Sequence, residues 1–416
     1  MLAKRVAALI FIFVCATIAW TILGTATSVR TFQQDEKLKQ AVGELWGTVQ
    51  KQEAARVEYI EKVQRVTVPP PGSRETPEVR EYTETHPYTL EGSDIDVGLN
   101  LEHRKKGLLW YATYKVKFAG KYLVKNYLDA EKDFIFTYKF PAKEGIYDNF
   151  SFLVDGQTVK DTEPVNGAVT HKLHLRPQQE SSIEITYGSQ GTDEWWYEFG
   201  ENVSQIRNFK LTASTDFKDI DFPENSISPT AKERVGDGWR LTWEFSSLIS
   251  GIQIGIRMPQ KMNPGPFASR VSFFAPVSLF LFLFLIFIIT VVRKMDIHPM
   301  NYFFVSAAFF SFHLLLTYLA DHIDIYPAFA ISAAVSIFLV ITYMRLVVGP
   351  RFALFEVGLS QLVYLVFFSY TFFLKGYTGL TITICCILTL FAVMQFTAKV
   401  DWSKVYEGRS SVPPKL

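Results

Sequence analysis

The sequence predicts a polytopic α-helical membrane protein with a large exported β-rich domain, on three observations. Five uninterrupted apolar stretches crowd the last third of the chain, from Val271 to Thr397, and a sixth lies alone near the N-terminus, from Val6 to Gly24. Between them, residues 25–270 read as water-soluble sequence with strand-like alternation. Each apolar stretch runs about 19 to 23 residues, close to the roughly 20 helical residues that cross a hydrocarbon core of about 30 Å.

The expected spans are Val6 to Gly24, Val271 to Val292, Tyr302 to Ala320, Tyr326 to Val348, Phe352 to Phe373 and Gly379 to Thr397. One span is N-terminal, five are C-terminal, and both termini share one side. Lys and Arg resist translocation, so their distribution over short loops sets the orientation. Beyond Val271, Arg293, Lys294, Arg345, Arg351, Lys399, Lys404, Arg409 and Lys415 fall on the side of Lys4 and Arg5, and Lys375 alone lies opposite. The expectation is that both termini are cytoplasmic and residues 25–270 lie outside the cytoplasm. Tyr302, Tyr326, Tyr343, Tyr377 and Trp402 near the span ends suit an interfacial aromatic belt. Lys4 and Arg5 before an apolar run also suit a secretory signal, but the first stretch exceeds the usual signal core of about 7 to 15 residues. It reads as an uncleaved anchor.

The net charge of +1 averages unlike parts, since residues 25–270 hold 31 Lys plus Arg against 35 Asp plus Glu with the signs interspersed. A nucleic-acid surface needs a basic stripe, and none is visible. Cys15, Cys385 and Cys386 all fall inside expected spans, so the exported domain has no disulfide and relies on core burial. The vicinal pair reads as helix packing rather than redox chemistry.

From Ala26 to about Val66, Leu38, Val42, Leu45, Val49, Val57, Ile60 and Val63 recur at helical spacing. The expected helix spans 26–66. Gly43 and Gly47 weaken it, so either it breaks near Trp46 or the glycines admit a close neighbour. Docking on the chain's own outer domain and a coiled coil between protomers through 26–66 both remain open. Residues 67–93, with Pro69, Pro70, Pro71 and Gly72, read as linker. From 94 to 263 the period becomes two. Ile95, Val97, Leu99 and Leu101, a turn at Arg104 to Gly107, then Trp110, Ala112, Tyr114, Val116 and Phe118 predict a hairpin. Runs near 133–140, 149–155, 168–175, 181–187, 194–199, 206–215, 238–246 and 250–258 complete an antiparallel sandwich-like domain. Residues 264–270 form the junction, 271–397 the five-helix bundle and 398–416 a cytoplasmic tail.

The chain contains no G-x-x-x-x-G-K-[ST], H-E-x-x-H, G-x-S-x-G or G-x-G-x-x-G. It is expected not to be an enzyme and to hold neither cofactor nor metal. His171 and His174 lie on one strand at an odd spacing, which points them to opposite faces. Asp216, Asp219, Asp221 and Glu224 resemble an acidic ion loop, but Lys218 stands third and no Gly stands sixth, against the EF-hand pattern. Of the adjacent Trp195 and Trp196, strand alternation sends one to the core and leaves the other as a candidate binding platform. Ionisable groups within a bilayer are costly, so His313, Asp321, His322, Arg345 and Glu356 are candidates for function. Arg345 and Glu356 flank Gly349 to Arg351 at similar distances and are expected to pair. His313 and His322 lie on opposite helix faces and cannot form one site.

The stretch Asp296-Ile297-His298-Pro299-Met300-Asn301-Tyr302, continuing through Leu314-Leu315-Leu316 to Ala320-Asp321-His322-Ile323, closely resembles the CreD family of bacterial inner-membrane proteins. So does Ala392-Val393-Met394 to Lys399-Val400-Asp401-Trp402. Trp46-Gly47 with Gln50, and Arg104 to Gly107 with Tyr111 and Tyr114, resemble the family's outer region. After Gln50 the family's Gly-Pro is replaced by Gln52-Glu53-Ala54-Ala55, so the outer domain begins differently. The resemblance implies one N-terminal anchor, a periplasmic domain and a C-terminal bundle, with an association with two-component signalling and envelope stress and no agreed catalytic site. The expected function is a non-enzymatic envelope protein binding an envelope protein or glycan. The alternatives are an ion-coupled permease and a membrane enzyme acting on lipid or glycan. The expected partners are the lipid bilayer and that envelope ligand, with no nucleic acid.

Overall fold

A computed structural model describes residues 2–67, 78–143, 145–159, 163–200, 204–374 and 376–398. The chain divides into two compact units, Met1–Glu36 with Met262–Leu416, and Lys37–Lys261.

The first element, α1 (Leu2–Trp46), is one 45-residue helix. It ends well before the expected residue 66, at Gly47, whose φ of +85° is a left-handed conformation that favours glycine. A Cβ there would also meet the Gln190 carbonyl oxygen at 2.3 Å. The expected 26–66 helix is therefore corrected. Val57, Ile60 and Val63 belong to a strand, where β-branched residues fit a pleated and half-buried surface. The end of α1 docks on its own unit, with Leu38, Val42 and Trp46 packing against Leu109 and Tyr111. Lys106 donates to the Ala41 carbonyl (3.1 Å), and the Arg104 guanidinium lies 5.5 Å from the Trp46 ring. Both place cations at the helix C-terminus, where the macrodipole favours them.

The β-rich unit holds β1 (Gln50–Glu53), β2 (Arg56–Thr67), β3 (Glu78–Tyr88), β4 (Gly92–Lys106), β5 (Leu109–Lys125), β6 (Lys132–Lys139), β7 (Tyr147–Val154), β8 (Gln157–Thr158) and β9 (Ala168–Leu175). It continues with β10 (Glu180–Thr192), β11 (Glu194–Glu198), β12 (Ser204–Thr215), β13 (Ala231–Val235), β14 (Gly238–Ser250) and β15 (Ile254–Arg257). One eight-stranded sheet has the order β13-β14-β12-β4-β5-β10-β7-β8; the others are β3-β2-β6-β9 and β1-β11-β15. The expected sandwich is present with two corrections. Pairing is parallel for β1 with β11 and for β12 with β4, and the supposed linker 67–93 contains β3. Residues 68–77 of that segment lie outside the described residues.

The large sheet packs against both smaller ones through aromatic side chains. Tyr122 meets Phe136 (5.6 Å between centroids) toward the four-stranded sheet, and Phe209 meets Tyr197 (5.5 Å) toward the three-stranded sheet. Gln52 ties these layers together. Fully buried on β1, its amide nitrogen donates to the carbonyls of Glu53 and Lys139, while its oxygen accepts from the Tyr138 and Tyr187 hydroxyls, each at 2.8 Å. Burial pushes both phenols far above the ordinary tyrosine range, so they act here as donors.

The other unit adds α2 (Pro264–Val292), α3 (Pro299–Leu319), α4 (Ile325–Val348), α5 (Phe352–Phe373) and α6 (Thr378–Thr397) to the apolar part of α1, giving, among the described residues, six helices long and apolar enough to cross a membrane. The expected junction 264–270 is instead the first turns of α2, because proline is tolerated where the helix has no N–H partner to lose. Lipid tails supply no hydrophobic drive between helices, so small-residue packing and interhelical hydrogen bonds hold such bundles. Ser269 bonds the Gly24 carbonyl, Thr290 bonds Tyr302, Ser278 bonds the Tyr364 carbonyl, Ser336 bonds the Ala308 carbonyl, Gln361 bonds Ser336 and Tyr364 bonds Thr389. Each link joins two different helices. The expected tail, apart from Ala398, lies outside the described residues.

Gln52→Leu leaves two buried hydroxyls and the Lys139 carbonyl without this partner. The expected loss is about 2–4 kcal/mol, in line with about 1–3 kcal/mol for each group left unsatisfied. Denaturant unfolding followed by tryptophan fluorescence measures it.

Candidate functional site

The structure separates the tryptophan pair as strand alternation requires. Trp195 is fully buried on β11, and Trp196 is half-buried on the opposite face. The Trp196 indole N–H donates to Glu194 (3.0 Å), which also accepts from Arg257 Nε (2.8 Å), and Arg257 reaches on to Asp221 (3.2 Å). Its ring lies over Gly255, where a Cβ would stand 2.7 Å away. Trp196 thus clamps β11 to β15, with its hydrogen-bonding group already used.

His171 sits beside Phe152 and burial lowers its pKa. His174 is exposed, and its hydrogen bond to Asp133 (2.7 Å), with Glu131 nearby, raises its pKa. The two share no site. Asp216 accepts from the Leu101 N–H and Asp221 pairs with Arg257. Among the described residues no group of three or more His, Cys, Asp or Glu could hold a metal.

In the membrane unit the expected Arg345–Glu356 pair is not formed. Glu356 pairs with Arg293, while Arg345 is exposed on α4. Equal distance from a turn places two residues at one depth but does not choose their side of the helix, and Arg293 follows α2 at that same end. Asp321 pairs with Arg30 of α1 (2.9 Å), whereas His322 is exposed and joins neither. At the other end of α1, Arg5 pairs with Asp296. The remaining motif residues are also structural. His298 accepts from the Met300 N–H as the cap of α3, Asn301 accepts from Tyr343, and Tyr302 bonds Thr290. His313 is buried among Trp20, Phe309 and Phe312, and neither ring nitrogen has a hydrogen-bond partner. Sequence reasoning missed Gln361, fully buried with its oxygen unpartnered and flanked by two π-helical stretches, Phe352–Gly358 and Leu362–Phe367. A single amide in an apolar run was its only signal.

Sequence reasoning also missed a cleft of about 620 Å³ in the β-rich unit, where the start of β2 and the end of β3 diverge from β12. Val57, Tyr197, Phe199 and Phe209 form its buried floor; Arg56, Glu58 and Arg207 stand on its exposed rim. Arg56 pairs with Glu53 (3.0 Å), and Arg207 has no carboxylate at ion-pair distance among the described residues. An apolar floor with a few polar groups at the rim is the usual make-up of a small-molecule site. No periodicity announces it, because its lining comes from five separate strands, β2, β3, β4, β11 and β12.

The family profile described as inner membrane protein CreD matches residues 1–403. The chain belongs to the CreD family. With six apolar helices, this CreD-family chain is a multi-pass inner-membrane protein. No curated protein matches it. Among solved structures, it is similar to a Legionella pneumophila protein with a nutrient-binding description, at 10% identity over 47% of this chain and 73% of that one, with a TM-score of 0.29. It is also similar to an M1 zinc metallopeptidase from Deinococcus radiodurans, at 8% identity over 41% of this chain and 42% of the peptidase, with a TM-score of 0.24. Likenesses at these scores carry no functional argument.

The Arg30–Asp321 pair gives a direct test of how α1 is held. Either single reversal, Arg30→Asp or Asp321→Arg, is expected to cost about 1–3 kcal/mol, less than the roughly 3–5 kcal/mol of a fully buried pair because both groups are partly exposed. Thermal unfolding in detergent should show the double reversal recovering most of that loss.

Proposed function

We propose that this CreD-family protein is a non-enzymatic envelope protein whose β-rich unit faces the periplasm and binds an envelope ligand, contributing to envelope homeostasis or stress response. The cleft beside β2, β3 and β12 carries this reading. The floor of Val57, Tyr197, Phe199 and Phe209 suits an apolar group, and Arg207, the rim arginine with no carboxylate at ion-pair distance among the described residues, favours a negatively charged one. Glu58 is the one carboxylate, and no histidine or cysteine, among the described residues lining the cleft. That leaves no acid and base pair there, which supports binding over turnover. The Lys and Arg bias of the short membrane loops supports the periplasmic placement. Any self-association through the expected 26–66 segment would be confined to its helical part, up to Trp46.

A photo-crosslinking residue at Gln205, beside the cleft, should capture a defined adduct in intact cells, and Ala54→Trp should abolish it by filling the cleft. The same probe at Asp237, exposed on a distant turn, should capture none. Equal adducts from both positions, or an adduct indifferent to Ala54→Trp, would refute the binding reading.

His313 and Gln361 favour a second reading, an ion-coupled permease, because unpartnered buried polar groups in a bundle are costly unless used. His313→Leu separates the two. Under the binding reading the variant keeps or gains thermal stability, since it removes polar atoms without partners, and it retains the cleft adduct. Proteoliposome flux that His313→Leu eliminates would instead establish transport.

A further inference from the structure

On the outer surface of the membrane unit, α1 and α2 enclose a groove of about 290 Å³. Val6, Ile10 and Phe13 of α1 stand opposite Phe287, Phe284 and Phe280 of α2. The helices run antiparallel here, with the Phe13 and Phe280 rings in edge contact at 5.9 Å, while Phe280 and Phe284 stack at 5.8 Å to form a continuous wall. From Val6 to Phe13 the groove extends roughly 10 Å along the helix axis at about 1.5 Å per residue. That is much of a single leaflet, half of a hydrocarbon core of about 30 Å.

Water has no place in it, because a buried water needs two or more polar partners and the wall offers only side-chain hydrocarbon. Left empty, the groove would forfeit dispersion contacts on every ring that lines it. The hydrocarbon available at this depth is the acyl chain of a lipid. Moving such a chain from lipid into the groove gains no hydrophobic free energy, since both surroundings are apolar. Retention must therefore come from packing on the rings and from charge at the groove's mouth.

The mouth lies at the Val6 and Phe287 end. Arg5 directly precedes Val6, and Arg293 and Lys294 follow α2 at the same end. Arg5 is neutralised by Asp296 and Arg293 by Glu356, while exposed Lys294 has no carboxylate at ion-pair distance among the described residues. Among the described side chains at this end, that leaves the Lys294 charge uncompensated where a headgroup would sit. We propose that the α1–α2 groove binds one acyl chain of an anionic phospholipid, with its phosphate at the Arg5 and Lys294 end.

The test uses the full-length protein purified in mild detergent, with native mass spectrometry and lipid extraction. Wild type should keep one phospholipid per chain through detergent exchange. Phosphatidylglycerol should be enriched over phosphatidylethanolamine by about fivefold relative to the membrane, the factor equivalent to about 1 kcal/mol for one basic residue near the surface. Ile10→Trp fills the groove from an exposed position and should reduce the retained lipid to background. Ile331→Trp, at an exposed position on α4, should leave it unchanged. Phe284→Ala removes a wall without overpacking and should also lose the lipid, which guards against misfolding of the first variant. Lys294→Gln should keep the lipid and lose the headgroup preference. Equal retention in wild type, Ile10→Trp and Phe284→Ala would reduce the finding to annular lipid and overturn the site, as would no retained lipid. Equal retention of the two headgroups by wild type would overturn the anionic assignment.

Discussion

Hydrocarbon does not solvate an unpaired charge, and the membrane unit is arranged around that constraint. Arg5–Asp296 and Arg293–Glu356 lie at one end of the bundle and Arg30–Asp321 at the other. Arg5 and Arg30 are separated by about 38 Å of helix at roughly 1.5 Å per residue. That exceeds a hydrocarbon core of about 30 Å and stays within the roughly 40–45 Å that includes the headgroups. Each pair therefore sits where water and headgroups still reach it. Between them, α1 is held by fully buried Trp20, which packs against Phe309, Phe310 and His313. The ion pairs set the depth of α1, and Trp20 sets its rotation.

The β-rich unit answers the same demand with hydrogen bonds. A short parallel strand carries Gln50 and Gln52 into the interior, and Gln52 bonds three groups on other strands, the Lys139 carbonyl and the Tyr138 and Tyr187 hydroxyls. A buried amide with every partner in place specifies one arrangement of the layers, and the same low dielectric makes a lost partner expensive. Gly47 makes this insertion geometrically open, because only glycine allows the backbone so close to Gln190. The cleft is a consequence of the layering. It opens where the four-stranded sheet leaves the eight-stranded one, above a buried aromatic floor.

Helix count, span lengths, the alternating strands and the family resemblance were all legible in the sequence, because each depends on a local period or an ungapped motif. The split of Trp195 and Trp196 was legible too, since neighbours on a strand face opposite ways. The end of α1 was not. Val57, Ile60 and Val63 satisfy a helical spacing as well as a strand, and the choice fell to sheet partners β3 and β6 on either side. The partner of Glu356 is not legible for a similar reason, since depth follows from counting residues whereas azimuth, which selects Arg293 over Arg345, follows from packing.

By itself, then, the sequence determined that this chain crosses a bilayer six times around a β-rich insert, because apolar length and period are properties of short segments. The tertiary structure alone decided which charges meet, which strands run parallel, where Gln361 lies and that a cleft and a lipid-facing groove exist. Those depend on residues brought together across long sequence separations, such as Arg30 with Asp321 or Val57 with Phe209, and no local period carries that information.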